Sequence, residues 1–208
     1  MSAVEPGSTG ANIVARAKEL ILRPVPTWDV IQAEDATIEG LYRSWVIPLA
    51  AIPAVCGAIG RLGWIGRFEF FGIRFHFGLF SVLARALTGY VLSLAFVFVL
   101  AVIVDELALR FGGERSRTQA FKLVAYASSA GWIAGVFELL PGGGLLTLLG
   151  ALYGVYLFYL GLPKLMRNDP EQTTTYLGFT VLAGLGIGVL FAILSSVFSG
   201  WGGPVSIY

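Results

Sequence analysis

FKLVAYASSAGWIAGVFELLPGGGLLTLLGALYGVYLFYLGLPKLM, residues Phe121 to Met166, reads as two apolar helices folded back on a Pro-Gly-Gly-Gly turn. A hydrocarbon core about 30 Å thick takes roughly 20 residues of α-helix to cross. Phe121 to Leu140 and Gly144 to Leu162 both come close to that length, and the turn Pro141 to Gly144 can do no more than reverse direction. Lys122 opens the pair and Lys164 closes it, so both feet stand on one side of a bilayer. The stretch is a membrane hairpin, and it decides the fold class of the whole chain.

Composition points the same way. Of 208 residues 56% are hydrophobic and 13% charged, with mean hydropathy +0.78, whereas soluble proteins carry roughly a quarter charged residues. Charge-free windows run for whole membrane spans, where a soluble helix would show polar residues recurring on one face. A formal net charge of +1 argues against a nucleic-acid partner, which calls for a clustered basic surface. Cys56 is the single cysteine and can form no internal disulfide. The first twenty residues include Glu5, Pro6, Gly7 and Gly10 and no apolar core segment, so insertion is expected to be directed by the first span rather than by a cleavable signal.

Three more spans flank the hairpin. Ser44 to about Gly60 is a charge-free run between Arg43 and Arg61, interrupted by Pro48 and Pro53. Proline removes a backbone donor, which lipid tolerates only where neighbouring helices satisfy the freed carbonyls, so this span is expected to be packed. Gly57, Gly60, Gly63 and Gly66 follow at spacings of three, marking either a close helix approach or a frayed end. The second span covers Leu79 to Leu107, with Arg85 placed to snorkel at one end and Asp105 and Glu106 at the other. A polar loop from Arg110 leads into the hairpin; after it, Asn168 to Glu171 turns the chain into a fifth helix, Thr174 to about Phe198. Between the first two spans, Arg61 to Arg85 alternates aromatics with charges, and Arg67 to Phe77 has some period-two character. A membrane-surface element is preferred there over a short hairpin.

Ahead of the spans, Met1 to Gly10 is expected to be disordered. Asn12 to Leu22 places Ile13, Ala17, Leu20 and Ile21 at helical spacings, with Asn12 as a candidate cap and Pro24 and Pro26 as stops. It is either a surface helix packed on the protein or one lying in the headgroup layer. Thr27 to Arg43 reads as a second interfacial segment, with Trp28 and Tyr42 suited to the boundary. Its Asp29, Glu34, Asp35 and Glu39 read as a solvated face rather than a metal site. The fold class is therefore an all-α integral membrane protein of five transmembrane helices preceded by amphipathic or interfacial helices. Residues 1–43 form the amino-terminal segment, 44–199 the five-helix domain and 200–208 a short tail.

Five crossings put the termini on opposite sides. Ten of the basic residues fall on the amino-terminal side, and four, Arg61, Arg67, Arg74 and Arg85, on the other. That excess places the amino terminus in the cytoplasm and the carboxyl terminus outside.

At the hairpin the chain resembles the Yip family, the Rab-GTPase-interacting five-span membrane proteins, and in particular their short prokaryotic relatives. The residues carrying the likeness are Ala125-Tyr126-Ala127-Ser128-Ser129, Pro141-Gly142, Leu152-Tyr153-Gly154, and Tyr159-Leu160-Gly161-Leu162-Pro163-Lys164-Leu165-Met166. Pro48 to Pro53 and Trp28 extend it over nearly the whole chain, Ile13 to Leu194. Family members often carry Ser/Thr-Pro after the Ala-Tyr motif, whereas here Ala130 follows Ser129. The resemblance implies five helices, a cytosolic amino terminus, and in eukaryotes a part in membrane traffic through Rab proteins and self-association. The short amino-terminal region lacks the extended cytosolic domain of the eukaryotic proteins, so a Rab-type GTPase is not carried over as a partner.

Ionisable groups inside membrane spans are functional candidates by default. Glu138, three residues before Pro141, falls on the same side as Arg67, Arg74 and Arg85 and is expected to pair with one of them, as an interfacial carboxylate or as an ion or proton site. Asp105 and Glu106 fall within reach of Arg110, Lys122 or Lys164 and read as an anchor rather than a relay. Tyr126, Tyr153, Tyr156 and Tyr159 either line a polar seam between the third and fourth helices, with Ser128, Ser129 and Thr147 as partners, or serve packing. Gly131 with Gly135, Gly150 with Gly154, and Gly184 with Gly188 are small-xxx-small pairs for tight helix packing. His76 is the only histidine, which leaves a sensor or metal-ligand role without a second ligand of its kind.

No phosphate loop, paired metal ligands or catalytic triad is found, and no cofactor is expected. The reading is a non-enzymatic scaffold or membrane-organising, trafficking-like protein of a prokaryotic cytoplasmic membrane. It would act on the lipid bilayer and through self- or partner association, as a possible homo-oligomer or with another membrane protein. The alternative is a small transporter or channel for an ion or small molecule, with Glu138, Arg85 and the tyrosines as its polar path.

Overall fold

The computed structural model describes residues 9–64, 69–70, 73–74 and 79–199, with side chains at 13–63 and 79–196. The readings placed on residues 1–8, on His76 and on the tail 200–208 fall outside the described residues. Five helical stretches are long and apolar enough to cross a membrane: Ile38–Gly63, Leu79–Phe111, Arg117–Leu139, Gly144–Met166 and Pro170–Ser196. The chain is an all-α integral, multi-pass membrane protein, with helices ahead of the first span.

Helix α1 spans Thr9–Leu22 and buries Ala17 and Leu20. Asn12 therefore sits inside the helix rather than capping it, and Thr9 opens it. The prolines that end α1 also begin α2, Pro24–Ala33, since the first helical turn has no use for the N–H that proline lacks. Trp28 and Ile31 of α2 have no exposed surface at all. Trp28 goes into the protein instead of to the membrane boundary because Gly161 leaves a hollow for it. A Cβ on Gly161 would stand 2.7 Å from the indole ring.

Thr37 caps the short α3, Ile38–Leu41, its hydroxyl accepting from the Gly40 N–H at 3.1 Å. A widened π-type turn, Tyr42–Val46, leads from it into α4, Ile47–Trp64. Pro48 has no N–H to offer the Ser44 carbonyl, and the wide turn lies where the helical ladder must adjust to that loss. Two-residue strands β1, Glu69–Phe70, and β2, Ile73–Arg74, pair antiparallel in the following loop, Glu69 opposite Arg74. Period-two character there thus ends in a small hairpin.

Helix α5 runs Leu79–Ala108 and closes through a 3₁₀ turn at Gly112, whose φ of +69° only glycine adopts freely. α6, Arg117–Ala134, is capped by Ser116 and carries no proline. It remains α-helical to Ala134 and then tightens into a 3₁₀ turn, Gly135–Leu139. α7 spans Gly144–Met166 and α8 Thr173–Ser199. Of the α6 span 72% lies buried, against 6% for α8, so α6 is the bundle's axis and α8 its lipid-facing edge. The α6–α7 hairpin is the most extensive helix pair.

Inside lipid a polar group without a partner costs several kcal/mol, which favours partners within the protein; several interior side chains find them, although the buried Trp28 indole N–H has none among the described residues. The Trp45 indole donates to Ser129 Oγ at 2.9 Å, and the Tyr42 hydroxyl to the Leu94 carbonyl at 2.8 Å. Tyr90 donates to Ile47 at 3.2 Å, and the buried Tyr176 to Val104. These bonds link the π-type turn to α6 and α5, α5 to α4, and α8 to α5.

Candidate functional site

The hairpin's two basic feet grip α2. Lys122, only 2% exposed, donates its ammonium to the Ile31 carbonyl at 2.9 Å and to that of Glu34. These carbonyls belong to the carboxyl end of α2, where the last C=O groups lack helical partners and the dipole is negative. Lys164 bonds the Val25 carbonyl at 2.8 Å and pairs with Asp29. Glu34 pairs with Arg16, and Glu39 with Arg43 at 2.8 Å, so these two carboxylates are matched by cations of the amino-terminal segment.

Asp105, buried, and Glu106, exposed, lie at the same end of the bundle. Asp105 Oδ2 is 3.6 Å from both Arg115 and Arg117, and Glu106 pairs with Arg115. Arg115 and Arg117 replace the expected Arg110, Lys122 and Lys164. The Gly112-Gly113 turn swings the chain back over the end of α5, while both lysines are occupied by α2. The adjoining loops lock together, the Glu114 N–H donating to the Met166 carbonyl at 2.8 Å and Arg167 pairing with Glu114 at 3.1 Å.

Glu138 stands at the opposite end. The 3₁₀ turn brings it against α4, where Gly57 and Gly60 make room: a Cβ on Gly60 would run into the Glu138 carbonyl oxygen, and one on Gly57 into its carboxylate. Glu138 Oε2 lies 3.8 Å from Arg61 Nη2. Both line a cleft of about 260 Å³, together with Arg85, Tyr90 and Ser93 of α5. Of the expected partners Arg85 shares the cleft, whereas the side chains of Arg67 and Arg74 fall outside the described residues. Arg61 was not anticipated. Its signal was the glycine row, since Gly57, Gly60 and Arg61 fall at i, i+3 and i+4 on one helix face.

The four tyrosines do not form one seam: Tyr153 and Tyr156 pack together with ring centroids 5.6 Å apart, and the other two lie elsewhere. Tyr126 is buried with its ring 6.3 Å from Trp28 and 4.6 Å from Trp45. Tyr153 donates to the Ile21 carbonyl of α1 at 2.7 Å. Tyr156 and Tyr159 lie exposed on the outside of the bundle. Ser129 is taken by Trp45, and Thr147 donates to the Ala134 carbonyl at 3.2 Å.

The glycines divide by neighbour. Gly150 and Gly154 press against α6: a Cβ on Gly154 would lie 2.8 Å from the Ala127 carbonyl oxygen, and one on Gly150 2.9 Å from that of Ala130. Gly135 meets Pro53 of α4, with a Cβ 2.9 Å from the Pro53 Cα. Gly131 and Gly184 have ordinary spacing to Ala151 and Phe96, 3.6 and 3.7 Å, and Gly188 faces open space.

A family model described as the Yip1 domain matches residues 18–200. Inner membrane protein YohC of Escherichia coli (strain K12) is 28% identical over 189 residues, 88% of this chain and 94% of that protein. The protein of the same name from Escherichia coli O6:H1 (strain CFT073) matches equally, at 28% over 189 residues. No solved structure matches.

Proposed function

The chain belongs to the Yip1 domain family, and on that premise we propose that it is a non-enzymatic membrane scaffold, organising the bilayer and associating with itself or another membrane protein. What carries the reading is the use made of the interior polar groups. The hydroxyls of Tyr42, Tyr153 and Tyr176 and the Trp45 indole all bind other helices. No charge interrupts Ala86 to Val104, Leu123 to Phe137 or Gly144 to Pro163. Packing claims what a conducting path would need.

In liposomes the purified protein is expected to leave ion and small-solute permeability at the protein-free level, unaltered by Glu138→Gln, while cross-linking in native membranes yields a discrete adduct. A protein-dependent flux that Glu138→Gln abolishes would replace the scaffold by the small transporter.

The membrane is proposed to be a prokaryotic cytoplasmic membrane with the amino terminus inside, supported by the distribution of basic residues and by the relative's description as an inner membrane protein. In a Cys56→Ala background, Gly10→Cys and Glu114→Cys, the latter at an exposed position, are expected to react with impermeant thiol reagents only after the membrane is opened, and Tyr208→Cys in intact cells. Reaction of Gly10→Cys and Tyr208→Cys from one side would refute the five crossings.

A further inference from the structure

Two cavities share Ser93 as a lining residue. One is the polar cleft of Arg61, Arg85 and Glu138; the other is a crevice of about 390 Å³ among α5, α6, α7 and α8. Ser93 lines both, with its hydroxyl committed to the Tyr90 carbonyl at 2.8 Å. The crevice wall is apolar, formed by side chains such as Phe96, Leu100, Phe158, Val181 and Leu185. Thr180 within it donates to the Tyr176 carbonyl at 3.0 Å. Leu185 is 61% exposed, so the crevice mouth faces the bilayer.

We propose that the cleft and the neighbouring crevice together bind one anionic phospholipid from the leaflet remote from α2, with its phosphodiester against Arg85 and Arg61 and one acyl chain in the crevice. Three observations support this occupant. Water holds a cavity only where it finds two to four polar partners, and a crevice of this lining suits hydrocarbon. From Arg85 to Leu100 is fifteen residues of α5, about 22 Å at helical rise. A leaflet spans about 15 Å of hydrocarbon and about 5–7 Å of headgroup region, so a lipid with its phosphate at Arg85 carries its chain to Leu100.

Charge is the third. Among the described residues the cleft holds two guanidinium groups and one carboxylate, an excess of one positive charge. A phosphodiester monoanion cancels that excess, and guanidinium offers it paired N–H donors. Glu138 remains beside Arg61 as an acceptor for headgroup hydroxyls. Phosphatidylglycerol, with one negative charge and two hydroxyls, fits this arrangement; phosphatidylcholine, neutral overall and without a headgroup donor, does not. The inference does not rest on the scaffold reading, since a scaffold and a transporter alike can hold a lipid.

Native mass spectrometry of the full chain in mild detergent, with phosphatidylglycerol and phosphatidylcholine at equal concentration, tests it. One retained phosphatidylglycerol is expected, with at least tenfold preference over phosphatidylcholine. Arg85 is exposed, so Arg85→Gln is expected to keep the lipid-free melting temperature and erase the preference, with partial recovery in Arg85→Lys. Val181→Trp fills the crevice from α8 and is expected to lower retention tenfold with both arginines intact. Equal retention of the two lipids, or wild-type retention by Arg85→Gln, would overturn the proposal. Wild-type retention by Val181→Trp would remove the acyl chain from the crevice. Millimolar inorganic phosphate raising the melting temperature as far as phosphatidylglycerol does would reassign the cleft to a free anion.

Discussion

Lys122→Met is expected to release the amino-terminal helices from the bundle and to destabilise the protein by about 2–4 kcal/mol, from one buried and one part-buried carbonyl losing their donor at about 1–3 kcal/mol each. Methionine matches the stem of lysine and keeps its packing against α2, so the change isolates the ammonium. Removing a buried charge also relieves its desolvation, which holds the net effect below the sum of two full penalties. The readout is accelerated tryptic cleavage at Arg16 and Lys18 of α1, together with a lower denaturation midpoint in mild detergent. Lys164→Met makes the comparison: its side chain is 24% exposed and its pairing with Asp29 is open to solvent, so about 0.5–1 kcal/mol is expected. Cleavage at Arg16 and Lys18 no faster in Lys122→Met than in Lys164→Met would mean that apolar burial of Trp28 and Ile31, not the ammonium, holds the amino-terminal helices.

Gly154→Ala is the second large effect, about 1–3 kcal/mol destabilising, although alanine is favoured over glycine in a helix by about 1 kcal/mol. Sterics win because the added Cβ would meet the Ala127 carbonyl oxygen at 2.8 Å, and a helix backbone cannot move aside as a side-chain tip can. Gly150→Ala is expected to behave alike. Gly131→Ala sits in the same hairpin, but its Cβ would lie 3.6 Å from Ala151, so propensity prevails and the change is expected to be neutral or stabilising. Denaturation midpoints of the three variants, measured side by side, distinguish crossing contact from a general intolerance of the hairpin. Equal loss in all three would defeat the argument.

How much of this was legible before folding depends on the range over which each feature is encoded. The five spans, the Pro141-Gly142 reversal and the break at Pro24 follow from runs of neighbouring residues, because hydrocarbon thickness and backbone sterics act locally. The need for a partner at Glu138 and at Asp105 was readable too, since an intramembrane carboxylate demands one wherever it stands. Which partner could not be read. Arg61 reaches Glu138 only because α4 crosses the end of α6 at two glycines, and Arg115 and Arg117 reach Asp105 only because Gly112 turns left-handed.

Trp28 and Tyr42 carry the composition of a membrane boundary, yet Trp28 is wholly buried, for the hollow that takes it is made by Gly161 far along the chain. The sequence by itself determined the solvent, the number of crossings and the hairpin, through apolar length and turn chemistry. Tertiary structure alone decided that the hairpin's basic feet would clasp α2, joining Lys122 to a carbonyl 91 residues away. It also decided that the Arg61–Arg85–Glu138 cleft would lie beside an apolar crevice, with Ser93 lining both. The physical reason is that helix crossing depends on side-chain shape summed over a whole interface, and no window along the chain contains both faces of one.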